Sequence, residues 1–149
     1  MYVFISYAGD EGLKYAKILN EILTNGGHQT FLFKNEVSID DKLYSKIGNA
    51  LDKCRIATII ITKESHISTE QEREYNAICS LNKEQGLIKE GVELGKFTLL
   101  RARLFKKFNE TNVKEIMNDF LNEINKIPER KNVSAIGENQ EMISGEQDE

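Results

Sequence analysis

The run from Ile56 to Ile61 (IATIII) limits the possible fold of this chain more than any other segment. It is apolar almost throughout and rich in β-branched residues, so it predicts a β-strand that is covered on both faces. Stretches with apolar residues at helical spacing precede and follow it. Strands that alternate with helices form a parallel sheet with right-handed crossovers and helices on both faces. We therefore expect an α/β fold.

The other elements follow from apolar periodicity and from turn residues. Asp10 is expected to cap the first helix, and Gly26-Gly27 to end it, since glycine allows the left-handed turn after a helix. The segment Phe97–Phe105 predicts an edge strand. Residues 86–96 are compatible with either a short strand or a loop, so the sheet has four to five strands. The remaining elements are strands at Tyr2–Ser6 and Thr30–Phe33 and helices near 43–54, 70–83 and 111–127.

Composition predicts one domain followed by a tail. The chain has 149 residues with 24 acids and 20 bases, and residues 128–149 hold six of the acids and two of the bases. Residues 1–127 therefore hold eighteen of each, and a neutral body gives no electrostatic reason to expect nucleic-acid binding. We expect a domain over 1–127 and an acidic, mobile tail over 128–149.

The sequence also indicates a compartment. No apolar run approaches the roughly 20 residues that a membrane-spanning helix needs, so no membrane association is expected. The chain enters a strand directly, without a signal-peptide pattern, which favours a stand-alone cytoplasmic protein. Cys54 and Cys79 lie in apolar stretches, so we expect both to be buried thiols in a protein of a reducing compartment. With His28 and His66 they show no metal-ligand spacing, so no metal is expected.

The polar residues after the first strand indicate where a ligand binds. The segment Phe4-Ile5-Ser6-Tyr7-Ala8-Gly9-Asp10 is a short apolar run that ends in small and polar residues. In open α/β sheets, ligands bind beyond the carboxyl ends of the strands. Gly9 would allow close approach of the backbone to a ligand.

A carboxylate is expected to lie at the same edge. On a helix, Glu74 shares one row with Ala77, Ile78 and Leu81, and so leads an apolar face toward the end of the sheet. Glu72 is the main rival, because it shares a row with Tyr75 and Cys79, and Glu70 is a weaker one. The alternative role of Glu74 is that of an ordinary boundary residue that reaches water.

These segments resemble the Toll/interleukin-1 receptor (TIR) domains. In many bacterial TIR domains, the first sequence motif is FISY, followed by a short polar turn and an Asp. Many also follow the third strand with Ser-x-Trp-x-x-x-Glu, onto which Ser68 and Glu74 fall, while Glu70 replaces the Trp. The resemblance covers residues 2–125 and implies a flavodoxin-like three-layer sandwich.

The resemblance further implies cleavage of NAD as a substrate, with no cofactor. In TIR domains that cleave NAD, the Glu at the position of Glu74 is catalytic. Nicotinamide leaves as a neutral base, so one carboxylate that stabilises an oxocarbenium-like transition state is sufficient. The products would be ADP-ribose or a cyclic ADP-ribose. The residues expected to bind NAD are Tyr7, Ala8, Gly9, Asp10, Phe33 and Ser68.

The resemblance also implies assembly between domains. The loop Lys34 to Lys42 corresponds to the family's BB loop, through which one TIR domain completes the pocket of its neighbour. A role in bacterial antiphage signalling follows, with a downstream effector that senses a cyclic nucleotide product.

Two alternatives stay open. One is a non-enzymatic adaptor acting through TIR–TIR contact, because the Trp, the BB-loop Pro-Gly and an Arg after the first motif are absent. The other is a nucleoside deoxyribosyltransferase-like enzyme, which has a related sheet and also uses a carboxylate.

Overall fold

A computed structural model describes residues 1–32, 48–81, 83–97 and 105–127 of the chain. The elements in chain order are β1 (Tyr2–Ser6), α1 (Gly9–Asn25), β2 (Gln29–Leu32), α2 (described over 48–53), β3 (Ile56–Ile61), α3 (Thr69–Ser80), β4 (Glu84–Lys89), β5 (Phe105–Phe108) and α4 (Val113–Asn125). A short 3-10 helix, Lys63–Ile67, joins β3 to α3. Within the described ranges, no helix is both long and apolar enough to cross a membrane.

The five strands form one parallel sheet in the order β2-β1-β3-β4-β5. Strand β3 is buried along its whole length between β1 and β4, as its apolar sequence predicts. This order is that of flavodoxin-like folds. The prediction of a parallel α/β sandwich with four to five strands is confirmed, with five strands observed.

Each face of the sheet carries its own hydrophobic core. Helices α1 and α4 pack together over one face, where Leu19, Met117 and Phe120 are fully buried against Val3 and Ile60. On the other face, residues of α2 and α3 pack against alternate residues of the same strands, Phe4, Ile59 and Ile61 among them. Successive side chains of a strand point to opposite faces, so one apolar run supplies both cores.

The predicted strand Phe97–Phe105 falls mostly on residues 98–104, which lie outside the described residues, so only its two ends can be compared with the structure. Phe97 is a buried residue in a helical turn rather than a strand, and its N–H donates to the carbonyl of Leu94, whereas Phe105 is a strand residue in β5. The strand before β5 is β4, Glu84–Lys89, which overlaps the first four residues of the interval 86–96, where strand and loop were both compatible with the sequence. Only Leu87 and Ile88 of β4 are strongly apolar, and its strand state rests on pairing with β3, in which Leu87 lies beside Ile60.

The predicted helix cap is wrong, and several other predicted features lie outside the described residues. Asp10 does not cap α1, because the helix begins at Gly9 and the preceding Ala8 has no side chain that can do so. Phe33, the loop Lys34 to Lys42 and the tail 128–149 lie outside the described residues. The domain limits 1–127 therefore stay a prediction.

Candidate active site at the ends of β1 and β3

The sheet order places the topological switch point of the fold, where a ligand crevice is expected, at the carboxyl ends of β1 and β3. The chain leaves β1 toward β2 on one side, and then crosses back to β3 on the other side. Neighbouring strands whose connections depart in opposite directions leave a gap beyond their carboxyl ends, where ligands of this fold class bind. Ser6, the last residue of β1, is buried and lies beside Ile59 of β3 at this end of the sheet.

Glu74 of α3 points into this part of the molecule. Its side chain is only 4% exposed, and its Oε1 accepts a hydrogen bond of 2.7 Å from the Oγ of Ser6. Ser6 is part of the first sequence motif, so the bond joins that motif to the carboxylate of α3. The interpretation of Glu74 as a boundary residue that reaches water does not describe this geometry.

Burial raises the pKa of Glu74 from its ordinary value of 4.5 to about 7. Loss of hydration is the main cause, because it disfavours the charged form. The hydrogen bond from Ser6 opposes the rise, and the negative charge of Glu70, one turn earlier in α3, adds to it. Near neutral pH the carboxyl group is therefore present in both its protonated and its ionised form, as is typical of active-site acids and bases.

Ser68 fixes the start of the helix that carries Glu74. It is the N-cap of α3, and its side chain accepts a hydrogen bond of 3.0 Å from the backbone N–H of Gln71. Such caps satisfy an otherwise free N–H at the helix start. The observed contact of Ser68 is thus structural, and its predicted role in binding a ligand stays a prediction.

The loop after β1 lies partly inside the protein. Tyr7 and Ala8 are buried, whereas Asp10 is exposed in the first turn of α1. Gly9 has a φ of 71°, and a Cβ at this position would overlap the carboxylate of Glu64. The same carboxylate accepts a hydrogen bond of 3.3 Å from the N–H of Glu11. The positive φ therefore favours glycine at position 9, and a side chain there would in addition displace the flexible carboxylate of Glu64.

The two rival carboxylates have different surroundings. Glu72 is half-buried, and its Oε1 lies 3.2 Å from the Nζ of Lys96 in an ion pair. Glu70 accepts a hydrogen bond from the hydroxyl of its neighbour Thr69. Neither is bonded to β1, so Glu74 is the carboxylate that the described structure joins to the crevice.

Sequence reasoning missed Ser6 and Gln71 as parts of this arrangement. Gln71 is fully buried, and its Nε2 donates to the backbone carbonyls of Ile60 at 2.8 Å and of Ser6 at 3.3 Å. The available signal was the spacing, since Gln71 precedes Glu74 by three residues and shares its helix face. A polar residue in an apolar row calls for a buried partner, but the sequence does not say which one.

No metal site is evident in the part of the chain that the structure describes, where no three His, Cys, Asp or Glu residues form a cluster that could hold an ion. Neither Cys54, which is buried as predicted, nor Cys79, which is only half-buried, forms a disulfide within the described residues. Burial raises the pKa of Cys54 to about 12, so this thiol stays protonated and unreactive at neutral pH.

Residues 3–93 match the sequence profile of the TIR domain family. The match spans more than half of the chain, and it includes most of β1 and the whole of α3 with Glu74. The chain therefore belongs to the TIR domain family. No curated protein sequence matches it significantly.

Solved structures of TIR domains share the fold. The TIR domain of the Toll-related receptor TRR-2 from Hydra magnipapillata is 14% identical, with a TM-score of 0.66 over 83% of this chain and 98% of that one. The TIR domains of the activated Roq1 resistosome, which recognises the pathogen effector XopQ, are 17% identical, with a TM-score of 0.62 over 83% of this chain and 98% of that one.

Two enzymes of nucleoside chemistry are also similar in fold. The CMP N-glycosidase BcmB from Clostridium botulinum is 15% identical, with a TM-score of 0.59 over 80% of this chain and 97% of that one. The 2-deoxyribosyltransferase of Bacillus psychrosaccharolyticus is 18% identical, with a TM-score of 0.57 over 82% of this chain and 91% of that one. At these identities the likeness shows the fold alone.

Proposed function

We propose that this TIR domain cleaves NAD at the bond between nicotinamide and ribose, with Glu74 as the catalytic residue. The observation that supports the proposal is a buried carboxylate at the β1/β3 crevice, held by Ser6 and with its pKa raised to about 7. Groups with such shifts in a crevice are candidates for catalysis.

The proposed chemistry needs one carboxylate. The C1′–N bond breaks, and its electron pair returns to the nicotinamide nitrogen, which loses its positive charge and leaves as a neutral base. Positive charge then develops on the ribosyl C1′ and ring oxygen, where ionised Glu74 stabilises it. Attack by water, which gives up one proton, forms ADP-ribose, whereas attack by a group of the same ADP-ribosyl unit forms a cyclic product.

The rest of the binding site is proposed from the loops at the same edge. Gly9 and Asp10 lie at the start of α1, and Phe33 follows β2, so these residues and Ser68 are the proposed contacts of NAD. Tyr7 and Ala8, the two buried residues of the loop after β1, stay proposed contacts of NAD as well.

Assembly is part of the proposal. We expect copies of the domain to associate through the loop Lys34 to Lys42, which would complete the pocket. A cytoplasmic role in antiphage signalling, with a downstream effector that senses a cyclic product, would follow from such a reaction.

Nicotinamide release from NAD tests the assignment. The full chain, concentrated enough to associate, is incubated with NAD as wild type, Glu74→Gln and Glu72→Gln. Glutamine keeps the size of Glu74 but cannot carry the negative charge, so turnover should fall by about 100-fold or more, in line with the loss of one electrostatic contact in other enzymes. The matched Glu72→Gln change lies on the same helix and should leave turnover within about twofold. Equal turnover by wild type and Glu74→Gln would remove Glu74 from the role.

Cleavage of a nucleoside is the second candidate. It is favoured by the likeness of this fold to a CMP N-glycosidase and a 2-deoxyribosyltransferase. The same three proteins are therefore incubated with CMP and with deoxynucleosides. Release of a free base that depends on Glu74, without nicotinamide release, would replace NAD by a nucleoside as the substrate. Absence of turnover on every substrate in the assembled state would favour the adaptor role.

A further inference from the structure

The side chain of Gln71 joins the two strands that border the crevice. Its amide nitrogen donates one hydrogen bond to the carbonyl of Ser6 in β1 and another to the carbonyl of Ile60 in β3. Ser6 in turn uses its hydroxyl to donate to Glu74. Gln71 thus holds the backbone of Ser6 against β3, and the hydroxyl of the same Ser6 holds the carboxylate.

We propose that Gln71 is a positioning residue, which clamps the end of β1 to β3 and so holds the hydroxyl of Ser6 against Glu74. The clamp itself is a statement about this structure, and only its effect on turnover rests on the proposed function. The role differs from that of a core residue, because it acts on one particular group.

The chemistry of the amide explains why glutamine suits the position. An amide nitrogen carries two hydrogens, and one can serve each carbonyl. Rotating the amide would place its oxygen against both carbonyl oxygens, so its orientation is determined. Its Oε1 has no partner among the described residues, which indicates that donation to the strands outweighs satisfaction of the acceptor.

The carboxylate of Glu74 reports on the clamp. Strands β1 and β3 contain no charged residue, and Glu70 of α3 is the group whose charge acts on Glu74. The bond from Ser6 is the contact that lowers the pKa of Glu74. If Gln71 holds Ser6 in place, loss of the clamp weakens this bond and raises the pKa of Glu74 further.

Carboxyl NMR titration of the full chain tests this without any substrate. Glu74 is assigned with Glu74→Gln and titrated in wild type, Ser6→Ala, Gln71→Met and the double variant. We expect Ser6→Ala and Gln71→Met each to raise the pKa, and the double variant to match Ser6→Ala alone, because both act through one bond. Gln85→Met is the matched control, because it is the same substitution at a residue of β4, away from Ser6.

The titration can also refute the clamp. An unchanged pKa in Gln71→Met, or pKa rises that add in the double variant, would show that Gln71 is only structural. If Gln71→Met does not fold, a comparison of wild type with Ser6→Ala tests the clamp instead. The Gln71 side-chain amide signals should follow the Glu74 titration in wild type and lose that dependence in Ser6→Ala. If the Gln71 amide signals of wild type do not change as Glu74 titrates, the proposal is overturned.

Kinetics then separates the clamp from the proposed reaction. If wild type releases nicotinamide, Gln71→Met should lower kcat most at acidic pH. A pKa rise of about one pH unit reduces the ionised fraction of Glu74 about tenfold there, and the loss should vanish at alkaline pH. A kcat loss that is the same at all pH values would contradict positioning through Ser6. Coupled titration in a protein without turnover would leave the clamp standing and refute the proposed function.

Discussion

Replacing Glu74 by glutamine should change the stability of the protein in a pH-dependent way. The folded protein raises the pKa of this carboxyl from 4.5 to about 7, chiefly by burial. Between these two values the unfolded chain has lost the proton while the folded chain keeps it. Stability therefore falls as pH rises through this window, because the unfolded state binds fewer protons.

The size of the effect follows from the same two pKa values. Below pH 4.5 both states are protonated, and the group adds no difference. Above pH 7 the folded protein holds a buried charge, at a cost of about 3 kcal/mol in unfolding free energy. Glutamine removes the charge at every pH, and its oxygen can still accept the hydrogen bond from Ser6. Glu74→Gln should therefore be more stable than wild type at pH 8, and the advantage should shrink toward pH 4.

Urea denaturation followed by circular dichroism at pH 4, 6 and 8 measures the difference. The control is Glu72→Gln, whose carboxylate is partly exposed and paired with Lys96, so its effect should stay within about 1 kcal/mol at each pH. A difference between wild type and Glu74→Gln that does not vary with pH would refute the account of a buried, protonated carboxyl. If Glu74→Gln is more stable than wild type at pH 8 but no longer cleaves NAD, the protein would carry an active site that costs stability.

Three other changes test the surrounding structure by the same denaturation assay. Gly9→Ala should lower the unfolding free energy by about 2 kcal/mol, because φ is positive and the methyl group meets Glu64; the added change Glu64→Ala should recover part of this loss, and full additivity would contradict the contact. Ser68→Ala should cost about 1 kcal/mol by removing the cap of α3, while Ser68→Asp should cost little; equal losses would argue against capping. Phe120→Ala should cost about 3–5 kcal/mol, since this ring is fully buried between α4 and the sheet, and a loss below about 1 kcal/mol would show that α4 packs loosely.

Residues that act locally could be interpreted from the sequence. The strand Ile56–Ile61 and the first strand, Tyr2–Ser6, were predicted with the bounds that the structure shows. Both are short and largely apolar runs, so their state depends little on distant parts of the chain. The row led by Glu74 likewise follows from helix geometry alone, and it indicated which carboxylate faces the sheet.

The remaining features depend on contacts between distant parts of the chain. Strand β4 has few apolar residues and is a strand because β3 offers it hydrogen bonds. Helix α1 begins without a side-chain cap from its own sequence, and the carboxylate of Glu64, 53 positions further on, bonds to its first turn. No local pattern contains such partners.

The sequence by itself thus determined the class of fold, its strongest strand and the helix face on which the carboxylate lies, since periodicity and β-branching act within a few residues. Tertiary structure decided that Ser6 meets Glu74 and that Gln71 joins β1 to β3. It also decided the raised pKa of Glu74, because burial depends on what the whole fold places around a group.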